Sequence, residues 1–178
     1  MDTELIRKAY KPDNVRLLLV GESPPAKGGF FYFKDRKVHM TTYTAQALGR
    51  AHGITFPNLQ EFFKYFQVCG CYLDDLCQFP VDDLQTTDRK ALLKASVAGL
   101  AQRIREMNPD VIAIVLKRIE RHVREAINNS GRIPEVFVLP FPGNSHQTKY
   151  VEQLRDIIRA NVPKAYQQRT NTGCTLAR

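Results

Sequence analysis

The chain has 178 residues, of which 43% are hydrophobic and 25% charged, a composition typical of a soluble globular domain. No stretch approaches the roughly 20 consecutive apolar residues that a membrane span requires, and the first ten residues lack the apolar segment of a signal peptide, so we expect a cytoplasmic protein. The formal net charge of +8 favours a polyanionic partner, above all nucleic acid, because basic side chains release the counterions of phosphates.

Hydrophobic periodicity predicts short apolar strands that alternate with amphipathic helices along the chain. Thr41 or Thr42 is expected to cap one of these helices, which ends at Gly53, and Ser145 is expected to cap the last helix. The predicted strands are 15–20, 68–73, 111–116 and 136–139, and the predicted helices are 3–10, 41–52, 59–66, 87–107, 117–129 and 146–161.

This alternation predicts an α/β fold, a three-layer αβα sandwich with a central four-stranded parallel sheet. We assign 1–162 to a single domain, since no linker, repeat or low-complexity segment divides it, and 163–178 to a polar C-terminal extension. The carboxyl ends of parallel strands lie along one edge of a sheet, where ligands bind. Polar residues directly after each strand are therefore the candidates for a functional site.

The four cysteines do not have the spacing of a metal site. Cys69 and Cys71 form a C-x-C pair, and neither Cys77 nor Cys174 adds a second pair at ligand spacing. On a strand, Cys69 and Cys71 would point to the same face, where they are most simply core residues. We therefore expect no disulfide, no metal and no other cofactor.

Three strand ends carry residues that suit a binding site. The first apolar run stops at Gly21-Glu22-Ser23-Pro24-Pro25, the second is followed by Asp74-Asp75, and the fourth by 141–146. An aromatic cluster, 30–33, follows the first strand closely enough to form a wall. A flat aromatic wall with a few polar groups and a basic rim suits a nucleobase.

In their order and placement, these motifs resemble those of the uracil-DNA glycosylase superfamily over about 15–158. The first family motif (Gly, a polar or acidic residue, any residue, Pro) is matched by 21–24. Phe33 matches the aromatic residue that stacks on the base, with Phe31 as a competing candidate, and Asp74 matches the polar residue that reads the base edge. The place of the second motif, usually His-Pro-Ser, is taken by Phe141, Pro142 and Gly143, followed by Asn144, Ser145 and His146.

The resemblance implies a monomeric, cofactor-free base-excision repair enzyme that hydrolyses the N-glycosidic bond of uracil or another altered base flipped from DNA. It implies a catalytic Glu22, which would position or deprotonate the attacking water, and a catalytic His146, which would meet the charge on the leaving base. The further base contacts that it implies are Gly21, Ser23, Phe31, Phe33, Asp74, Phe141 and Asn144, and the DNA contacts are Pro142, Gly143, Ser145, Gln147 and Lys149.

The chain departs from the family pattern at two positions. Phe141 replaces the histidine of the second motif, and Asp74 stands where the family usually has Asn. An ionised Asp74 accepts hydrogen bonds only, so it would pair better with a base edge that offers an amino group than with uracil. Arg118 and Arg121, near the start of the helix after the third strand, are each more simply part of a solvated helix face, with this edge of the sheet as the alternative.

Two other functions fit parts of the pattern. Ser23, Asp74 and His146 occur in the chain order of an α/β-hydrolase triad. However, a nucleophile elbow requires G-x-S-x-G, and Pro24 after the serine has no N–H to offer an oxyanion. The second alternative is a non-catalytic protein that keeps the fold and binds nucleic acid or a nucleotide, which the missing second-motif histidine favours.

Overall fold

The computed structural model describes residues 3–35, 37–143 and 145–165, and it confirms the predicted α/β class. Four parallel strands form one sheet in the order β2-β1-β3-β4. The strands are β1 (Leu17–Gly21), β2 (Cys71–Asp75), β3 (Val111–Val115) and β4 (Glu135–Leu139). In the register of the sheet, Gly21 pairs with Asp75, so the ends of β1 and β2 coincide.

Helices cover both faces of this sheet, as expected for a three-layer αβα sandwich. Helix α2 packs against α7 and helix α5 against α6, one pair on each face. Because both faces are covered, β1 and β3 consist of buried apolar side chains rather than alternating ones. The helices are α1 (Thr3–Ala9), α2 (His39–His52), α3 (Leu59–Val68), α4 (Thr86–Ala95), α5 (Val97–Met107), α6 (Glu120–Ser130) and α7 (Gln147–Asn161), with a 3₁₀ turn at Lys117–Ile119 before α6.

The single helix predicted over 87–107 is wrong, because α4 and α5 are separate helices that meet at Ser96. The Ser96 hydroxyl donates to the carbonyl of Leu92 at 2.8 Å and lies 3.1 Å from the Cys77 thiol. Serine that bonds back to the carbonyl four residues earlier often bends a helix. The apolar periodicity continues through this junction, so it does not reveal where one helix ends and the next begins.

The predicted second strand starts too early. Helix α3 continues to Val68, and the chain then reverses at Gly70, which has a φ of +75°. Its carbonyl accepts from the backbone N–H of Leu17 at 3.2 Å, so the reversal aligns β2 with β1. Cys69 consequently ends a helix rather than lying on a strand, although Cys69 and Cys71 are both buried as predicted.

The predicted N-terminal caps of two helices are also wrong, whereas Gly53 ends α2 as predicted, with a φ of +66°. Helix α2 starts at His39, and the Thr41 hydroxyl instead donates to the carbonyl of Phe31 at 2.6 Å. Helix α7 starts after His146 without a side-chain cap, while Ser145 has a φ of +69° in the preceding turn. Ser145 therefore does not serve as the predicted cap of the last helix.

Among the described residues, none of the helices is long and apolar enough to cross a bilayer. Within the same ranges, no group of three or more histidine, cysteine or carboxylate side chains could hold a metal ion. Cys174 and the extension from 166 onward lie outside the described residues.

Candidate functional site

A cavity of about 620 Å³ lies at the carboxyl edge of the sheet, where β1 and β3 end. This volume is within the usual range of small-ligand pockets, roughly 300–1,000 Å³. The cavity is lined by the segment after β1, by the aromatic segment that precedes α2, by the turn after β3 and by the loop after β4. Its lining includes polar, charged and aromatic side chains and two glycines, which are Gly21, Glu22, Ser23, Phe30, Phe31, Asp75, Arg89, Arg118, Phe141, Gly143 and His146.

The backbone at the end of β1 is held firmly against the chain that follows β2. The carbonyls of Gly21 and Glu22 accept from the N–H groups of Leu76 and Cys77, each at 2.9 Å. The Asp82 carboxylate accepts from the N–H of Ala26 at 3.0 Å. The loop that carries Glu22 into the cavity is therefore anchored at both ends, which fixes where its carboxylate lies.

Two arginines converge on the Glu22 carboxylate. Oε1 accepts from Nε of Arg89 at 3.2 Å and from Nε of Arg118 at 3.1 Å. Oε2 accepts from Nη2 of Arg118 at 2.6 Å and also from Nη2 of Arg89. Each guanidinium thus makes the two parallel hydrogen bonds of a fork, the strongest geometry for pairing with an anion. The Glu22 side chain is only 9% exposed, whereas that of Arg118 is 56% exposed.

Sequence reasoning named Arg118 as a candidate but missed Arg89. Arg89 lies on α4, far from any strand end along the chain, and nothing in its local pattern distinguishes it from other basic residues of a solvated helix face. Its position at the cavity follows from the tertiary contacts of α4, whose C-cap residue Ser96 lies 3.1 Å from the Cys77 thiol on the chain after β2. Only the fold could reveal this contact.

The aromatic wall of the cavity is formed by Phe30 and Phe31 rather than by Phe33. Phe31 is buried, and its ring lies edge-on to that of Phe63 with centroids 5.8 Å apart. Phe33 is turned away by a tight turn in which its N–H donates to the carbonyl of Phe30. Of the two predicted stacking residues, Phe31 lines the cavity and Phe33 does not.

The prediction that Asp74 faces the cavity is wrong. Asp74 is 2% exposed, and its carboxylate pairs with Nη1 of Arg7 and with Nε of Arg103, the latter at 2.7 Å. Strand β2 extends through Asp75, and successive residues of a strand point to opposite faces. Asp75 therefore lines the cavity in place of Asp74.

Asp75 is held between α1 and β1. Its Oδ2 accepts from Nη2 of Arg7, a side chain that is 1% exposed, at 2.7 Å. Its Oδ1 lies directly over Gly21, where any Cβ would overlap it. Gly21 is thus required by the close approach of this carboxylate. Burial raises the pKa of Asp75 to about 6, although Arg7 opposes the rise and the charges of Asp74 and Glu4 add to it.

We expect Asp75→Asn to gain stability relative to the wild type as the pH rises from about 4 to about 6. The pKa of Asp75 is raised from 3.8 to about 6 in the folded protein, so in this window the folded protein binds more protons than the unfolded chain. The wild type therefore loses stability as the pH rises, and the asparagine variant does not lose this contribution. Urea denaturation of both proteins at several pH values measures the difference. A difference that is constant between about pH 4 and 7 would contradict the assignment.

The loop after β4 brings only part of the predicted second motif into the cavity. Phe141, Gly143 and His146 line it, and the Phe141 side chain is 46% exposed. The other predicted DNA contacts in the described part of the chain, which are Pro142, Ser145, Gln147 and Lys149, do not line it. Asn144 lies outside the described residues.

The hydrolase triad is not assembled. Ser23 lies in the cavity, and its hydroxyl accepts from the N–H of Val81 at 3.4 Å. Asp74 is turned to the other side of β2, where two arginines occupy its carboxylate. It therefore cannot orient His146 as the third member of a triad requires.

No protein-family model matches this chain, and no curated protein matches it either. The function has to be inferred from the chemistry of the cavity.

Proposed function

We propose that this protein is an N-glycosidase that removes an altered base, uracil or another, from DNA. The observation that carries the proposal is the placement of Glu22: a carboxylate at the end of a buried parallel strand, in a cavity with an aromatic wall and a basic rim. A flipped base is typically held by stacking on aromatic side chains and by hydrogen bonds to its edge. Phe31 and Asp75 are suited to these two tasks.

Glu22 would act on the sugar side of the bond. Hydrolysis of an N-glycosidic bond builds positive charge on the sugar, as in other glycosidases. A carboxylate near the sugar stabilises that charge and can position or deprotonate the attacking water. The backbone bonds of Gly21 and Glu22 to the chain after β2 hold the carboxylate in a fixed place, so little reorganisation is needed when the charge develops.

Asp75 would read the edge of the base. Its carboxyl lies at the end of β2, and the bond from Arg7 fixes the orientation of the group. With a pKa of about 6, Asp75 changes its protonation within the physiological range. The ionised form accepts from an amino group of a base, while the protonated form can also donate. We propose that Asp75 has the role that the sequence pattern suggested for Asp74.

His146 and Phe141 would act on the opposite side of the base. Both line the cavity from the loop after β4. An imidazole there can donate a hydrogen bond to the base as negative charge develops on it. The exposed ring of Phe141 offers a face for stacking at the entrance of the cavity.

A second candidate function is binding of nucleic acid or a nucleotide without excision. The specific observation in its favour is that both oxygens of Glu22 already accept from Arg89 and Arg118. A carboxylate occupied in this way cannot bind a water until at least one arginine leaves it. In a protein that only binds, Glu22 would serve permanently to orient the two arginines.

The two functions are separated by a cleavage assay on oligonucleotides that carry uracil, hypoxanthine, xanthine or another altered base, in single and double strands. We expect abasic sites, detected as strand breaks after alkaline treatment, with at least one of these bases and no breaks in unmodified strands. Salt-sensitive binding to the same oligonucleotides with no abasic product would contradict the glycosidase and support the binding protein.

A further inference from the structure

We infer that Arg89 and Arg118 form a phosphate-binding site at the mouth of the cavity, and that Glu22 occupies it as an internal anion until a phosphate arrives. The inference rests on the proposed function in one respect, which is that this phosphate is expected to belong to a nucleic acid strand. The ligand is the phosphate group itself, whether within a phosphodiester or free. The two arginines line the same cavity as Phe31 and Asp75, the residues proposed above to contact the base.

The geometry of the two arginines is that of an anion clamp. Both present Nε and Nη2 to the same two oxygens, with Arg118 at 3.1 Å and 2.6 Å. Forked guanidinium pairs of this kind bind carboxylate and phosphate in the same way. Arg118 reaches the clamp from the 3₁₀ turn after β3 and Arg89 from α4, so the clamp spans two separate elements.

The charges of the clamp do not cancel. Two guanidinium groups face one carboxylate, which leaves one positive charge uncompensated within the cluster. The side chain of Arg118 is 56% exposed and that of Arg89 is 23% exposed, so solvent anions have access to the cluster. A phosphate with one or two negative charges and several acceptor oxygens satisfies both guanidinium groups more completely than a single carboxylate does.

A basic groove continues from the clamp along the surface between α4 and α6. Besides the clamp residues, its charged lining consists of Lys90, Lys94 and Arg121 against Glu125. The floor of the groove includes His122, whose Nδ1 atom is buried and has no hydrogen-bond partner among the described residues. A strand whose phosphate lies at the clamp can therefore place neighbouring phosphates along a surface with excess positive charge.

This arrangement makes the release of Glu22 depend on the phosphate. When a phosphate draws Arg89 and Arg118 toward itself, the Glu22 oxygens lose the bonds that occupy them and become available to water. Glu22 thereby changes from a ligand of the arginines to a group that acts on the sugar only when a strand is bound. The occupied carboxylate of the ligand-free protein and the proposed catalytic role are then compatible.

The test measures the affinity for a fluorescent, unmodified single-stranded oligonucleotide by anisotropy at several salt concentrations. Glu22→Gln removes the internal anion, so we expect it to bind about fivefold more tightly than the wild type. Arg118→Gln and Arg89→Gln remove half of the clamp, so each should bind about fivefold more weakly and lower the salt slope by about 1. The opposite signs distinguish a phosphate site from a purely structural ion pair, in which all three variants would weaken binding together.

Arg50→Gln and Lys94→Gln form a matched pair for this experiment. Both residues are exposed and lie in the last turn of a helix, but Lys94 lines the groove, whereas Arg50 lies on α2 in the opposite layer. Each change removes one positive charge from the protein, so an effect of net charge alone would be equal. We expect Lys94→Gln to bind the oligonucleotide more weakly than the wild type and Arg50→Gln to bind it with unchanged affinity.

One further measurement distinguishes the two sources of the phosphate. If inorganic phosphate displaces the oligonucleotide more than sodium chloride of equal ionic strength does, free phosphate is a sufficient ligand. If the two salts displace it equally, the ligand is the phosphodiester of the strand. Unchanged or weaker binding by folded Glu22→Gln, or unchanged binding by both arginine variants, overturns the inference. If Glu22→Gln does not fold, the two arginine variants decide. Because the oligonucleotide has no altered base, a failure of excision leaves this result unaffected and refutes only the proposed function.

Discussion

Replacing Glu22 with glutamine is expected to slow base excision by about 10²- to 10⁴-fold, the usual contribution of a general acid or base. The amide keeps the shape of the side chain but carries no charge, so it neither stabilises a cationic sugar nor takes a proton from water. Because substrate affinity should rise rather than fall, the loss should appear in kcat under saturating substrate and not in KM. Single-turnover cleavage of the best substrate measures it.

Glu106→Gln is the control for this variant. Glu106 is an exposed carboxylate on α5 that accepts a surface hydrogen bond from the side chain of Gln102 at 3.0 Å. Its replacement removes the same charge from the protein and should leave the excision rate within about twofold of the wild type. Excision that survives Glu22→Gln unchanged would exclude Glu22 as the catalytic carboxylate.

Replacing Arg7 with methionine is expected to lower the free energy of unfolding by about 3–5 kcal/mol. Arg7 is almost completely buried and pairs with both Asp74 and Asp75. Methionine would fill much of the volume but remove the ion pair with Asp75 and leave Asp74 paired with Arg103. Removing one member of a buried ion pair costs far more than the pair contributes, because the remaining charge stays desolvated. Urea denaturation at neutral pH measures the change.

Two variants examine the cause of this loss. Arg124→Met breaks an exposed pair with Glu120 on α6, and we expect it to cost no more than about 0.5 kcal/mol. Adding Asp75→Asn to Arg7→Met should recover part of the lost stability, since it removes one of the uncompensated charges. Equal losses from Arg7→Met and Arg124→Met would contradict the assignment of Arg7 to a buried network.

The same network connects the N-terminal helix to the cavity. Arg7 on α1 holds the carboxyl of Asp75, and Asp75 in turn lies over Gly21 next to Glu22. Nothing in the short helix α1 by itself predicts this, because an arginine in its last turn is usually solvated. A variant that loosens α1 is therefore expected to disturb the geometry of the cavity as well as stability.

The class of the fold and the edge of the sheet at which the cavity lies follow from the amino-acid sequence alone. A run such as Leu17–Val20 can only be buried by covering both faces of a strand, so helices on both sides of a parallel sheet follow from local composition. Gly21 and Glu22 directly after that run then fall at the carboxyl edge of the sheet. These features depend on chain order and short-range periodicity, which are visible in the sequence.

Which side chains share the cavity depends instead on contacts between distant parts of the chain. Asp75 rather than Asp74 faces it because alternate residues of a strand share a face, so Asp75 lies on the cavity side of β2 with Leu73 while Asp74 lies on the other side. Phe31 rather than Phe33 lines it because a single tight turn redirects the aromatic segment. Arg89 and Arg118 are 29 residues apart in the numbering, yet they meet on one carboxylate because the packing of α4 and the turn after β3 bring them there. Charge pairs of this kind depend on distances across the fold, which local sequence patterns do not encode.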